Sequence, residues 1–310
     1  MADDSTFTRR NVLKSGAAAA TGLAGVGTAS AEEGPLEDAR QIPCLDMTDR
    51  MDAFESVDAA SVAPERSSGI GPGSFVLISR GGTTAGCTAN FVWEGGDGSL
   101  YLGAAGHCFL PGSADAETNA GGSFDASDVQ VQVCIDCATG GATGLNGVQV
   151  GRLVDLGDVV YARQALDGVQ IGEDFGLVEI PSAAEGLIDR SMPKFDGPST
   201  VGTLEGGETT CHYGNAVAFG ETFLTKGRTG AGLGTDPEAG VWRAATASAQ
   251  GDSGAAVQTC QPTVTGFDGS EAIGALTHLS TNGPVAGTTI EKAKTMVSRD
   301  AGLDIDPQLS

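Results

Sequence analysis

From Ser74 onward the chain falls into short apolar runs separated by glycine. Ser74–Ser79, Cys87–Trp93 and Ser99–Ala105 are three such runs, with Gly81-Gly82 and Gly95-Gly96-Asp97-Gly98 between them. Runs of this length, rich in β-branched and aromatic residues and bounded by Gly and Asp, predict strands joined by tight turns, a β-meander. The same pattern predicts strands at Asp128–Cys134, Gly147–Asp155, Val159–Ala162 and Phe175–Ile180. A second block follows at Thr209–Cys211, Ala216–Phe219, Glu221–Lys226, Gly240–Ala245, Ala255–Cys260 and Ala272–Leu276. Pro181–Gly207, rich in Pro, Gly and Ser, lies between the blocks and suits an interlobe connection. With about six strands on each side, the pattern fits an all-β fold of two barrel-like lobes. Thr288–Arg299 is the exception. Ile290, Ala293 and Val297 recur at helical spacing with Met296 beside them, so this stretch is predicted to be a helix closing the C-terminus against the second lobe. Residues 301–310 read as an acidic tail.

The N-terminus lacks this periodicity. Thr8-Arg9-Arg10-Asn11-Val12-Leu13-Lys14 precedes a weakly apolar Ala/Gly stretch, residues 15–29, and Ala29-Ser30-Ala31 offers a small-residue cleavage site. Residues 1–31 therefore read as an export signal, the paired arginines matching the twin-arginine type that carries folded proteins. A secreted chain beginning near Glu32 is expected. Neither this stretch nor any later one has the roughly 20 apolar residues a membrane span needs. Residues 32–72 are polar, acidic and poorly periodic, compatible with a linker, an arm wrapping the domain, or a propeptide remnant.

Charge narrows the partners. Against 17 Lys and Arg stand 40 Asp and Glu, a formal net charge of −23. Such a surface repels nucleic acid and anionic membranes. The carboxylates are spread along the whole chain, which favours a solvated surface suited to high salt over a cation-binding patch. The 48 glycines are about twice the ordinary frequency of roughly 7% and fit a fold rich in turns. Cys44, Cys87, Cys108, Cys134, Cys137, Cys211 and Cys260 make an odd number, so at least one is unpaired within the chain or bonded elsewhere. Cys44 is the candidate for the unmatched thiol, or for a tether to a later cysteine.

The stretch with the clearest chemical meaning is Gln250-Gly251-Asp252-Ser253-Gly254. A serine between glycines can present its hydroxyl at a turn where backbone amides approach a substrate oxygen closely. A neutral serine needs a base that titrates near neutrality, and a carboxylate to hold that base in one tautomer. The chain has three histidines, His107, His212 and His278. His107 ends a predicted strand and Asp174 opens one, so His107, Asp174 and Ser253 follow the chain order of one known triad.

Ala104-Ala105-Gly106-His107-Cys108, Glu173-Asp174-Phe175-Gly176-Leu177-Val178 and Gly251-Asp252-Ser253-Gly254 resemble the histidine, aspartate and nucleophile boxes of the chymotrypsin-like serine proteases. The nearest resemblance is to the secreted bacterial α-lytic protease and streptogrisin branch, over about residues 74–300. It implies two six-stranded antiparallel β-barrels, the first at about 73–185 and the second at about 205–287, with a C-terminal helix at 288–299. It implies catalysis by His107, Asp174 and Ser253 in the cleft between the barrels, and an oxyanion hole from the amides of Gly251 and Ser253. Polypeptide substrates, a monomer and no cofactor or metal are expected from it.

The resemblance has departures. Ala255 stands where the family has glycine, and Ala249 where many members have a bracing cysteine. Cys87 with Cys108 is the bridge the resemblance favours. Cys134 with Cys137 would make a local one, and Cys211 with Cys260 is a further candidate. A metal site at Cys134 and Cys137 lacks a second ligand pair. Arg152 and Arg243 are candidate partners for Asp252. Ala247, six residues before Ser253, suggests an uncharged specificity pocket for small or apolar side chains. His278, near the expected pocket wall, is a second pocket candidate. The alternative to an endopeptidase is a catalytically silent homologue that binds peptides or serves as a structural extracellular protein. An esterase is disfavoured, since its Gly-x-Ser-x-Gly elbow and Ser, Asp, His order are absent.

Overall fold

The computed structural model of this chain describes residues 38–48, 54–55, 69–110, 128–139, 149–165, 170–216, 226–264 and 266–310. The expected export signal and most of the strands expected at Ala216–Phe219 and Glu221–Lys226 lie outside the described residues.

The second lobe is a closed six-stranded antiparallel barrel. Its strands are β13 (Thr209–Tyr213), β14 (Gly227–Asp236), β15 (Val241–Ala245), β16 (Ala256–Pro262), β17 (Phe267–Leu279) and β18 (Val285–Thr289). Pairing runs β17-β16-β13-β14-β15-β18, and β18 returns to β17 to complete the ring. A strand count of six was expected, but β14 and β18 were not among the predicted runs. Glycine-rich β14 carries no apolar alternation, and its register with β15 shifts between Gly232 and Gly234, the irregularity that bends a barrel strand.

The first lobe closes differently. Its strands are β4 (Phe75–Arg80), β5 (Thr83–Thr88), β6 (Val92–Gly95), β7 (Leu100–Ala104), β8 (Gln130–Thr139), β9 (Gln149–Asp155), β10 (Val159–Arg163) and β11 (Phe175–Glu179). They form two sheets, one built on β5-β4-β8-β9 and one on β10-β11-β7-β6. The chain passes from β5 to β6 and from β9 to β10 through short bends. The Asn90 amide at the first bend donates to Gly103 at 2.8 Å, and the Gly157 amide at the second donates to Glu179 at 2.8 Å. Each bent strand thus belongs to both sheets. Six chain segments enclose a core that includes Val76, Cys87, Val92, Leu102, Val133, Val159 and Val178.

The chain ends tie the lobes together. Residues 38–48, the start of the described chain, carry β1 (Arg40–Gln41), paired with β17, and β2 (Leu45–Asp46), paired with β5. Of the three readings left open for residues 32–72, this part behaves as an arm. A further short strand, β3 (Phe54–Glu55), lies parallel to β9. In the interlobe connection, β12 (Thr200–Val201) lies parallel to β17.

The expected helix is α2 (Ile290–Ala301), which follows the one-turn helix α1 (Gly106–Phe109). Thr289 caps α2 by accepting the Lys292 amide, and Gly302 ends it in a left-handed conformation. Its buried residues are Ile290, Ala293, Met296 and Val297, the face read from the sequence. They share an apolar cluster with Trp93, Tyr101, Phe175 and Leu177 of the first lobe as well as Tyr213 of the second, so the helix bridges both lobes. Within residues 301–310, β19 (Ile305–Gln308) pairs antiparallel with β6 of the first lobe.

Candidate active site

His107 is carried by α1, directly after β7. The turn requires glycine at 106, because a Cβ there would meet the Arg163 carbonyl oxygen at 1.8 Å and that of Phe175 at 2.6 Å. His107 is thereby pressed against the start of β11, where Asp174 sits. Its Nδ1 lies 2.6 Å from Asp174 Oδ2, and its backbone amide donates to Asp174 Oδ1 at 3.0 Å. The ring's other nitrogen, Nε2, is 2.5 Å from Ser253 Oγ. Three side chains separated by up to 146 residues thus form one hydrogen-bonded line between the lobes.

Asp174 has no exposed surface. Thr288 Oγ1 donates to its carbonyl at 2.8 Å, which ties the first-lobe carboxylate to the second lobe. Burial alone would raise the Asp174 carboxyl, but the neighbouring His107 outweighs it and holds the group below the ordinary carboxylate range. Burial likewise opposes a charged His107, and the Asp174 carboxylate prevails, holding the imidazole well above its ordinary value of 6.5. A base oriented through Nδ1–H to a buried carboxylate, with Nε2 facing a hydroxyl, is the arrangement that activates a serine nucleophile.

The turn bearing Ser253 is held from both lobes. Gly251 has φ +97°, a left-handed value that an L side chain rarely adopts. Thr88 Oγ1 donates to the Gly251 carbonyl at 2.8 Å, and the Thr88 amide donates to the Ser253 carbonyl at 2.8 Å. Ala255 is fully buried in the apolar cluster of the second lobe. Its amide donates to the Asp252 carbonyl at 3.0 Å, so the methyl group is taken up by the core.

Asp252 does not meet Arg152 or Arg243. Its partner is Arg228 on β14, whose Nη2 lies 3.1 Å from Oδ1 and whose Nη1 contacts Oδ2. Oδ1 also accepts the Ala216 amide at 3.0 Å, and Oδ2 accepts the Ala249 amide at 2.9 Å and Ser248 Oγ at 3.1 Å. His212, whose role the sequence left open, lies against the same arginine, with Nε2 3.3 Å from Arg228 Nη1. Burial first, and Arg228 second, push His212 down to about 3, so it is neutral and accepts from the guanidinium. Arg228 was missed because it stands in a glycine-rich run that carries no strand signal.

The disulfides Cys87–Cys108 and Cys211–Cys260 are present. Cys134 is also disulfide-bonded, while the side chain of Cys137 lies outside the described residues. Cys44 is a free thiol. Ala247 is exposed. His278 is wholly buried. Its Nδ1 is 2.7 Å from Thr277 Oγ1. Cys44, His107 and Cys108 offer ligand atoms within 4.8 Å of one another. The Cys108 sulfur is committed to the bridge and both His107 nitrogens are engaged, so these residues do not suit a metal ion.

No protein-family model and no curated protein matches the chain. Solved structures do. Protease Anisep from Arthrobacter nicotinovorans is 14% identical with a TM-score of 0.46, covering 77% of this chain and 99% of its own. A thermostable serine protease, AL20, from an extremophilic microorganism is 14% identical with a TM-score of 0.47, covering 74% and 96%. A Glu endopeptidase is 14% identical with a TM-score of 0.45, covering 80% and 96%.

Proposed function

We propose that the chain is a serine endopeptidase. The observation that carries this reading is the unbroken line Asp174, His107, Ser253, with spacings of 2.6 and 2.5 Å at the junction of two β-lobes. With His107 neutral, Nε2 accepts the Ser253 proton as Oγ attacks a peptide carbonyl carbon. The carbonyl oxygen becomes an oxyanion facing the amides of Gly251 and Ser253. His107 then gives its proton to the leaving amine, and an acyl-enzyme remains. Water repeats the sequence, with His107 first accepting its proton and then returning it to Ser253, which releases a carboxylic acid. Asp174 stays ionised and stabilises the imidazolium that forms. One oxyanion-hole donor is typically worth about 3 kcal/mol in such a transition state.

We further infer an exported protein adapted to salt. The paired Arg9 and Arg10 ahead of an Ala/Gly stretch and the net charge of −23 support this, and no described helix is long and apolar enough to cross a membrane. The test is hydrolysis of a mixed peptide library at high salt by wild type beside Ser253→Ala, together with labelling by a fluorophosphonate. Turnover and covalent labelling of the wild type, both lost in Ser253→Ala, are expected. Equal cleavage by both proteins sinks the serine mechanism. A folded wild type that is neither active nor labelled supports the silent peptide-binding homologue.

A further inference from the structure

Ser253 and Ile42 both have no exposed surface, because the N-terminal arm runs across the site. The arm is held at both ends of its crossing. Before it, Arg40 and Gln41 pair antiparallel with Leu279 and His278 of β17, and the Ile42 amide donates to the Thr277 carbonyl at 2.8 Å. After it, Leu45 and Asp46 pair with Gly86 and Ala85 of β5. An extended segment that adds a strand to one lobe, crosses a cleft and adds a strand to the other is bound as peptides are bound by strand addition.

At the crossing, the arm faces the triad. The Ile42 carbonyl oxygen is 3.0 Å from His107 Nε2, and the next carbonyl, that of Pro43, accepts the Gly251 amide at 3.0 Å. Gln41 Nε2 donates to Asp174 Oδ2 at 3.2 Å. Gln250 Nε2 donates to the Cys44 carbonyl at 2.8 Å, and Cys44 Sγ lies against the Cys87–Cys108 bridge. The side chain of Ile42 belongs to the second-lobe apolar cluster with Trp242, Ala255, Leu276 and Val285.

We propose that Arg40-Gln41-Ile42-Pro43 is an intramolecular pseudosubstrate, and that the pocket holding Ile42 selects a branched aliphatic side chain on the acyl side of the bond cut in a true substrate. The proposal rests on the peptidase reading. It replaces the exposed Ala247 with an apolar, fully enclosed site. A Lys or Glu side chain in that site would bury an unpaired charge, and an aromatic one would overpack it.

Three features would protect the arm from being cut. The bond that follows Ile42 is Ile42–Pro43, whose nitrogen is a ring-bound tertiary amide. The Gly251 amide is occupied by the Pro43 carbonyl, one residue out of register from the carbonyl that would be attacked. A His107 ring protonated on both nitrogens can donate from Nε2 to the Ile42 carbonyl 3.0 Å away, and in that form it cannot accept the Ser253 proton. Access to the site thus requires the arm to leave or to be outcompeted by a peptide.

The test uses the full chain. The rate of Ser253 labelling by a small fluorophosphonate is measured in wild type, Ile42→Asp, Ile42→Gly and Ile42→Val. The Asp and Gly variants are expected to label at least tenfold faster than wild type, and the Val variant at close to the wild-type rate. Ile42→Gly removes the side chain without burying a charge and decides the matter should Ile42→Asp fail to fold. The released variant should hydrolyse acetyl-Arg-Gln-Ile-p-nitroanilide with a kcat/KM at least tenfold above the same peptide ending in Lys, Glu or Phe. Equal labelling of wild type and Ile42→Gly overturns the pseudosubstrate, and preference for Lys, Glu or Phe overturns the pocket assignment. Should no protein label at all, the peptidase reading fails and amide exchange judges the arm. Slow exchange of the Ile42 amide in wild type, accelerated in Ile42→Gly, then keeps the strand in the groove, and fast exchange in wild type removes it.

Discussion

Asp174 and His107 titrate against each other, and the signs of their shifts separate stability from activity. Asp174 is lowered on folding, so its contribution to stability is present above its unfolded value near 4 and is lost as pH falls through the folded value. His107 is raised, so its contribution is present below 6.5 and is lost as pH rises through the folded value. The pair therefore stabilises most between about pH 4 and 6.5, and urea midpoints measured across pH should show both limbs. The proposed mechanism needs neutral His107, so the pH–rate profile should rise through a midpoint above 6.5. In Asp174→Asn that midpoint should fall, since the largest influence raising His107 is removed while burial remains, and kcat should drop by about 10⁴-fold, the cost of a misplaced tautomer. Asp252 and Arg228 make a second buried pair. Arg228→Met leaves the carboxylate facing three donors but no charge, and should cost about 3–5 kcal/mol in denaturant unfolding.

The elements differ in how much of themselves they show locally. Helix α2 was legible because its period, its Thr289 cap and its Gly302 stop all lie within the segment. Thr289→Ala should cost about 1 kcal/mol of stability, measurable as a lowered urea midpoint. Strands β4, β7 and β11 were legible for the same reason: each is a buried apolar run ended by turn residues. By contrast, β14 and β18 are strands through their partners. Glycine in β14 allows close packing, as at Gly230, where a Cβ would lie 2.4 Å from the Ala245 carbonyl oxygen, and no hydrophobic alternation marks it. The bridge Cys87–Cys108 joins β5 to the histidine turn across 21 residues. Removing it with Cys87→Ala and Cys108→Ala together should cost about 3 kcal/mol, chiefly through the unfolded state, read as a shift in the denaturation midpoint.

At the scale of the whole molecule, the dominant quantity is charge. A net −23 repels itself over a screening length of about 30 Å at 0.01 M salt but only about 3 Å at 1 M. The melting temperature should therefore rise steadily with sodium chloride, and cooperative folding should weaken in dilute buffer. A melting temperature insensitive to salt would remove the argument for salt adaptation. The lobes are also joined by more than their interface. The arm pairs with β17 and β5, and the C-terminal strand β19 returns to β6, so both ends of the described domain cross from one lobe to the other.

Glycine-bounded apolar runs, a serine flanked by glycines and a helical period are local patterns, and one stretch of chain suffices to display each of them. The all-β class and the two blocks could for that reason be named in advance, and the candidates His107, Asp174 and Ser253 through their chain order and the resemblance of the short stretches that carry them. Arg228 beneath Asp252, Ile42 in the groove and the tail on β6 were decided only by folding. Each depends on contacts between segments far apart in the chain, and the energy of such a contact belongs to the pair and leaves no period or motif in either member.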